Sequence, residues 1–518
     1  MKINFMVVLL LLLMTCVVRA ESTIDLVRLE KACDVGDATE CLNLGVLYNL
    51  GKDVKLDYDI AANLYLKACD GGVAEGCYSL GYLYYIGQGV KQDYSITANF
   101  YKKACDSGDA QGCYGLGTLY DNGKGVQLDY EITNNLYQKA CNGDFALGCY
   151  FLARKYISGQ GVKQDYFAAV SFLQKACDKA VALSCNDLGV MYKTGQGVKQ
   201  DYFSAVNLFQ KACESGVARA CLNFGFLYND GQGVRQNYEI AANLYQKACD
   251  GGVVEGCYNM GIIYEYGRGV KKNYVTAADF YKKTCDIGFA KGCYNLGIFY
   301  KDGQSVKQDY VTAANLFHKA CDGGENEGCY NLGVLYNNGQ GVKQDYFKAV
   351  NLYEKTCNTL YSVGCNNLGT MYETGQGVKQ DYSTAKNLYQ KACDNEFVEG
   401  CGNLGVLYVN GYSVKQDYVT AASLYLKACD GGVAEGCHNL GVLYDNGDGV
   451  MQDYSIAVNL YQKACDKGAA GACYNLAVNY DNGLGVTVNT LKSLELYGKS
   501  CDLKFQRGCD AYAKHKKN

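Results

Sequence analysis

Small and apolar residues return along this chain in blocks set apart by polar, glycine-rich stretches, and the pattern repeats every 36 residues. In the block opening at Ala74, Leu80, Leu83 and Tyr84 fall at helical spacing as far as Tyr85. This predicts a helix, A, that stops at Gly87. A left-handed C-terminal cap explains a glycine there, and the thirteen complete repeats all carry one, from Gly51 to Gly483. The connection then reads Gly-x-Gly-Val-Lys-Gln-Asp-Tyr, as at 159–166 and 195–202, and its valine, kept from Val54 to Val486, is expected to plug the core between helices. A second helix, B, is predicted to start at Asp93, an N-cap type whose equivalents are Asp or Asn, and to run through Tyr94, Ala98, Phe100 and Tyr101 to Cys105. Gly81, Ala98 and Ala104 allow close helix approach, Tyr84 and Phe100 fill the spaces between, and the absence of proline fits uninterrupted helices. A fixed period of this length is the signature of an all-α solenoid.

Cysteine sharpens the picture. The pairs are Cys33 with Cys41, Cys69 with Cys77, Cys105 with Cys113, Cys141 with Cys149, Cys177 with Cys185, Cys213 with Cys221 and Cys249 with Cys257. They continue as Cys285 with Cys293, Cys321 with Cys329, Cys357 with Cys365, Cys393 with Cys401, Cys429 with Cys437, Cys465 with Cys473 and Cys501 with Cys509, without an insertion or deletion. Two positions eight apart on one helix are separated by about 12 Å, whereas a disulfide tolerates a Cα separation of about 4.4–6.8 Å. Bonded pairs therefore require the chain to reverse between their members. The intervening Asp-Gly-Gly (70–72, 250–252, 430–432) and Ser-Gly (107–108, 215–216) suit such a reversal. One helix is expected to end at the first cysteine and the next to begin at the second. A metal site is the alternative, but seven intervening residues do not match zinc spacings and the chain has 3 histidines. Each pair is expected to bond within itself rather than to a neighbouring repeat.

At the amino end, Lys2 precedes an apolar run from Phe5 to Leu13 that extends to Val18, and Val18-Arg19-Ala20 suits a signal peptidase. The segment reads as a secretory signal, too short for a comfortable membrane span. Cys16 leaves a lipoprotein alternative open, against which stand Thr15 before it and apolar Val17 and Val18 after it. Cleavage after Ala20 removes Cys16 and leaves 28 of the 29 cysteines, an even number suited to an oxidising destination. The formal charge of −4 and scattered lysines imply neither nucleic acid nor an anionic membrane as partner. Expected domains are 1–20 as the cleaved signal, 21–37 with a capping helix (Ile24 to Cys33), 38–501 as about thirteen repeats, and 502–518 with a second cap (Arg507 to Lys514) and tail. Nothing marks a boundary within the array.

The pattern Leu-Gly-x-x-Tyr-x-x-Gly-x-Gly-Val-x-x-Asp-Tyr-x-x-Ala resembles the Sel-like repeat, a relative of the tetratricopeptide repeat. With Cys-x7-Cys in every unit, it is similar to the Helicobacter-type cysteine-rich proteins. The resemblance covers the chain after residue 20 and implies a right-handed α/α superhelix of 36-residue pairs with one disulfide per repeat. It also implies a scaffold for protein or peptide partners in host interaction or envelope biology. Members of that family are often labelled β-lactamases or penicillin-binding proteins, which makes hydrolysis of a β-lactam or cell-wall peptide the competing function.

The catalytic motifs such a hydrolase needs are Ser-x-x-Lys, Ser-Asp-Asn and Lys-Thr-Gly. The chain has Ser383-Thr384-Ala385-Lys386 and, separately, Lys193-Thr194-Gly195, but no Ser-Asp-Asn. The second is one version of the helix A terminus, elsewhere Asp121-Asn122-Gly123, and the two lie about five repeats apart. Both read as coincidences. His318, His438 and His515 lie in distant repeats and offer no zinc triad. No catalytic residue, metal or cofactor is expected, nor any further membrane span, and the chain is expected to be monomeric.

Binding has more support. In tetratricopeptide-like solenoids helix A lines the concave surface, and aligning the repeat on that pattern puts residues one, two, five and eight after the second cysteine near the groove. The first is often tyrosine, including Tyr78, Tyr114, Tyr150, Tyr258, Tyr294, Tyr330 and Tyr474. The second is asparagine in eight successive repeats, namely Asn223, Asn259, Asn295, Asn331, Asn367, Asn403, Asn439 and Asn475. Such amides could grip an extended peptide backbone, or bond within the scaffold. The eighth position varies most (Tyr85, Asp121, Lys193, Glu265, Val409), as expected of a tuned or unconstrained surface.

Overall fold

The structure is a computed structural model that describes residues 26–359 and 361–516. The expected secretory signal and Cys16 lie outside the described residues. Among those described there are 28 α-helices and no strand, in the alternating A/B order that the sequence predicts. The first is Leu26–Asp34 and the last Gln506–His515. Two compact units divide the chain between Val253 and Val254, a break that neither composition nor the repeat period reveals.

Each helix pair is built by local chemistry that recurs. The Tyr94–Asp106 B helix is capped by Asp93, whose carboxylate accepts from the backbone N–H groups of Ser95 and Ile96. This satisfies two of the donors that a helix start leaves without partners. The Ala74–Ile86 A helix ends in Gly87 at φ 76° with its N–H donated to the Leu83 carbonyl, the left-handed cap expected there.

The reversal between cysteines is tighter than predicted. Helix B runs one residue past Cys69 to Asp70, and the next A helix starts at Ala74, three residues before Cys77. Val73 N–H donates to the Ala68 carbonyl at 2.9 Å and Gly72 N–H to that of Cys69 at 3.1 Å, which closes the turn. The disulfide thus ties the last turn of one helix to the first turn of the next. From Cys33 with Cys41 to Cys501 with Cys509, Cα separations run from 4.4 to 4.7 Å in thirteen bridges, each within its own Cys-x7-Cys. Cys249 and Cys257 are likewise disulfide-bonded.

Helices A and B of one repeat meet through a glycine on A and a buried ring on B. A Cβ at Gly297 would lie 2.7 Å from Cε1 of Phe317, which is fully buried. A glycine there lets the two backbones approach closely enough to bury the ring. Gly297→Ala is therefore expected to cost about 1–3 kcal/mol through overpacking, measured as a lower urea midpoint with an unchanged m-value. The loop valines are half-buried against these clusters, as Val306 and Val342 show.

Candidate functional site

All eight asparagines of the row lie half-buried on A helices. Five of these amides link successive A helices to residues one past the second cysteine of the preceding repeat. Asn223 donates to Asn186 Oδ1 at 3.0 Å, and Asn403 to Asn366 Oδ1 at 2.9 Å. Asn295 donates to the Tyr258 hydroxyl at 3.3 Å, and Asn367 to that of Tyr330 at 3.4 Å. Asn475 Nδ2 lies 3.2 Å from His438 Nε2. Asn331 donates instead to the Glu327 carbonyl of its own helix at 2.8 Å. Asn259 and Asn439 sit half-buried at the equivalent positions.

The tyrosines one past the cysteine differ in burial, Tyr78 of the first unit being half-buried. Tyr114 and Tyr150, in the same unit, are buried, with Tyr114 packed on Phe145 and Phe151 at centroid distances of 5.2 and 5.6 Å. They belong to the core and not to a surface. In the second, Tyr258, Tyr294 and Tyr330 remain half-buried beside the amides.

Where it carries a carboxylate, the eighth position is constrained from within its own repeat. The eighth position stands opposite the buried aromatic of helix B sixteen residues later, except at Ile157, where Leu173 takes that place. The Tyr281 hydroxyl donates to Glu265 at 2.5 Å, Tyr389 to Glu373 at 2.5 Å, and Tyr497 to Asp481 at 3.2 Å. Tyr137 and Tyr461 are similarly bonded to Asp121 and Asp445. Carboxylates occur at this position only opposite tyrosine, and its two lysines, Lys193 and Lys301, stand opposite Phe209 and Phe317. A phenol can satisfy a half-buried carboxylate, whereas a phenylalanine would leave it without a donor. Burial pushes each of these tyrosines well above its ordinary pKa, and the adjacent carboxylate pushes it further. The pairing was present in the sequence, at a separation of sixteen, once the two positions were known to face each other.

One other position breaks its pattern. Lys155, 7% exposed, occupies a place held by Leu119, Met191 and Phe299 in other repeats. Its ammonium pairs with the Asp121 carboxylate, donates to Gln160 Oε1 at 3.0 Å and lies 4.8 Å from the Tyr130 ring centre. Asn134, 4% exposed, donates to the Gln160 carbonyl at 2.9 Å.

A hydrolytic site does not assemble from the named candidates. Ser383 lies in the first turn of a B helix, with its N–H donated to the cap Asp381. Lys193 sits in the last turn of an A helix, 5.5 Å from the Phe226 ring centre. Ser493, Asp481 and His515 do meet, but the order is wrong for nucleophilic catalysis. Ser493 is fully buried and donates to Asp481 at 2.7 Å, and the same carboxylate takes His515 Nε2 at 3.0 Å. The serine has no base of its own. His438 is 3.5 Å from Glu435, and exposed His318 pairs with Asp322 at 2.9 Å. Among the described residues no group of three or more His, Cys, Asp or Glu is arranged to hold a metal, and no helix is long and apolar enough to cross a membrane.

Two further features lie in the second unit. A cavity of about 470 Å³ opens on the loop side, lined by Tyr336, Val342, Lys343, Gln344, Asp345 and Lys348. At the start of the Asn326–Asn338 helix, Glu325 and Glu327 are close enough for each charge to raise the other's cost of ionising. Burial first, and then the neighbouring Glu327 carboxylate, push Glu325 up to about 7 against the opposing pull of Lys291. A carboxyl raised in the folded state favours folding most below its unfolded pKa, and that contribution is lost as pH rises through about 7. Glu325→Gln should accordingly raise the melting temperature at pH 8 and leave it little changed at pH 4, as followed by circular dichroism.

The Sel1 repeat model matches thirteen consecutive segments, from 41–73 through 470–505. Among solved structures, a protective antigen of uropathogenic Escherichia coli displaying an SLR fold is 25% identical with a TM-score of 0.71, covering 96% of this chain and 97% of that one. A Sel1 repeat protein from Oxalobacter formigenes is 25% identical over 60% of this chain and 89% of its own, with a TM-score of 0.50. Helicobacter pylori cysteine-rich protein B is 32% identical over 27% of this chain and 99% of its own, with a TM-score of 0.22. No curated relative matches the chain.

Proposed function

Because the chain belongs to the Sel1 repeat family, we propose that it is an exported, disulfide-stapled scaffold that holds an extended polypeptide along the A-helix face of its second unit. The observation that carries this reading is the half-buried row of amides and phenols. Where tyrosine precedes the amide, the bonds are long, 3.3 Å at Asn295 and 3.4 Å at Asn367. Such bonds lie beyond the usual N–H···O range and can be exchanged for a ligand carbonyl, while the same amides also meet the buried Tyr281 and Tyr353 hydroxyls, which hold them in place. The Asn223 and Asn403 bonds, at 3.0 and 2.9 Å, are scaffold bonds by the same measure. Export is supported by the bridges, which suit an extracytoplasmic location.

The test is Asn295, Asn331 and Asn367 replaced together by alanine, assayed against a peptide selected on the wild-type protein from a random library. Each lost amide contact is worth about 0.5–1.5 kcal/mol, so affinity should fall by roughly one to three decades while the melting temperature holds. A destabilised variant with unaltered affinity would return the row to the scaffold.

A further inference from the structure

The cavity on the loop side of the second unit, about 470 Å³ in volume, has Tyr336, Val342, Lys343, Gln344, Asp345 and Lys348 as its lining. Lys348 breaks the pattern of the adjoining repeats. In those, a threonine three residues after the cap aspartate ties the carboxylate down, Thr312 to Asp309 at 2.6 Å and Thr384 to Asp381 at 2.7 Å. The Lys348 ammonium instead stays 3.8 Å from Asp345 Oδ2 and 5.0 Å from the Tyr336 ring centre. Asp345 reaches one backbone N–H, that of Lys348, where Asp309 and Asp381 reach two each. Lys343 is exposed and has no hydrogen-bond or ion-pair partner among the described residues. The loop between them is fixed by Gln344, which donates to the Asn337 carbonyl at 2.8 Å and to the Tyr346 hydroxyl at 2.9 Å. Exposed apolar side chains adjoin it. Phe347, 64% exposed, precedes Lys348, and a Cβ on Gly341 would collide with the Tyr310 backbone, which sets the loop beside Val311, 56% exposed.

We propose that this cavity seats an acidic side chain of an extended polypeptide, with an apolar neighbour of that side chain lying on Phe347. The site is on the loop side and needs nothing from the asparagine row. An exposed ion pair by itself is worth little. Here two ammonium groups line one recess, where they repel each other, and a carboxylate between them accepts charge-assisted hydrogen bonds from both. Its methylene stem meets Val342 and the Tyr336 ring, which a bare anion would leave wet. Asp345 does not fill the place, because its carboxylate is turned to the Lys348 N–H of its own helix at 3.0 Å. The positive end of that helix adds to the attraction for an anion. A small carboxylate would leave Phe347 and Val311 uncovered, whereas a chain passing through the recess covers them as well.

The experiment uses the disulfide-bonded protein and three fluorescein-labelled decapeptides of serine and alanine, with Leu-Glu-Glu-Leu, Leu-Gln-Gln-Leu or Leu-Lys-Lys-Leu at the centre. In anisotropy titrations the glutamate peptide should bind wild type about tenfold more tightly than the glutamine peptide, from charge-assisted hydrogen bonds. The lysine peptide should bind weakest. Lys348→Thr restores the residue of the adjoining repeats and should melt no lower than wild type by circular dichroism, yet it should lose most of the preference for glutamate. Adding Lys343→Gln should abolish it. Lys307→Gln removes the exposed lysine equivalent to Lys343 in the preceding repeat, and should leave the preference unchanged. Equal binding of glutamate and glutamine peptides to wild type, or no binding of either, overturns the proposal. So does an equal loss in Lys307→Gln and Lys348→Thr, which would make the preference a property of surface lysines in general. Binding of phosphatidylglycerol vesicles that depends on Lys348, without discrimination among the peptides, assigns the recess to a lipid surface and overturns the peptide.

Discussion

Protein refolded with its cysteines reduced and blocked should melt tens of degrees below the oxidised form. Closing a loop this short removes denatured-state freedom worth about 2–3 kcal/mol per bridge in the loop-closure model. Unfolding one 36-residue repeat releases roughly 75 cal/mol/K at the average of about 2.1 cal/mol/K per residue. The ratio gives a shift of about 25–40 °C when every repeat loses its own staple. The bridges are local, so they staple turns and leave the stacking of helix pairs to apolar burial. Replacing one pair, Cys69→Ser together with Cys77→Ser, should accordingly loosen its own repeat, read as faster amide exchange there, with a small effect on distant repeats. Both residues are 1% exposed, so reduction must be carried out in denaturant. Oxidised and reduced melts that coincide would refute the structural role of the bridges.

Removing Asp121 is expected to be the most damaging single carboxylate change in the molecule. Its loss strands two groups at once. The Lys155 ammonium, buried at a position that other repeats fill with apolar side chains, would keep only Gln160 Oε1 and the Tyr130 ring. The Tyr137 hydroxyl, 1% exposed as a residue, would lose its acceptor. Breaking a buried pair from one side costs about 3–5 kcal/mol because a desolvated charge is left behind. Asp121→Ala should therefore cost about that much, and adding Lys155→Leu should recover most of it by restoring the apolar pattern of neighbouring repeats. Urea unfolding of the single and double variants measures both. If the double variant is no more stable than Asp121→Ala, the cost does not come from the stranded lysine.

Much of this could be read from the chain because a repeat carries its own alignment. Thirteen copies of one pattern exposed the cap glycine, the N-cap aspartate and the paired cysteines without any relative for comparison. Each of these is a short-range device, decided by φ, by one side chain reaching its own backbone, or by a loop of seven residues. The local pairing of cysteines followed from the same reasoning, since a separation of eight closes only across a reversal.

What remained hidden depended on which side chains face one another across helices. The eighth position looks variable in a list of repeats, yet Glu265 and Lys301 are each accounted for by Tyr281 and Phe317, sixteen residues further on. The asparagine row was visible as a row, but not that Asn223 and Asn403 spend their amides on neighbouring asparagines while Asn295 and Asn367 hold tyrosine hydroxyls loosely. Nor does the sequence say that burial and the neighbouring Glu327 push the Glu325 carboxyl up. Periodicity, caps and bridges are properties of a stretch of chain, so the sequence alone determined the helix pairs and their staples. Hydrogen-bond partners are properties of distances between stretches, so only the packing of one pair against the next decided how the polar groups of this protein are satisfied.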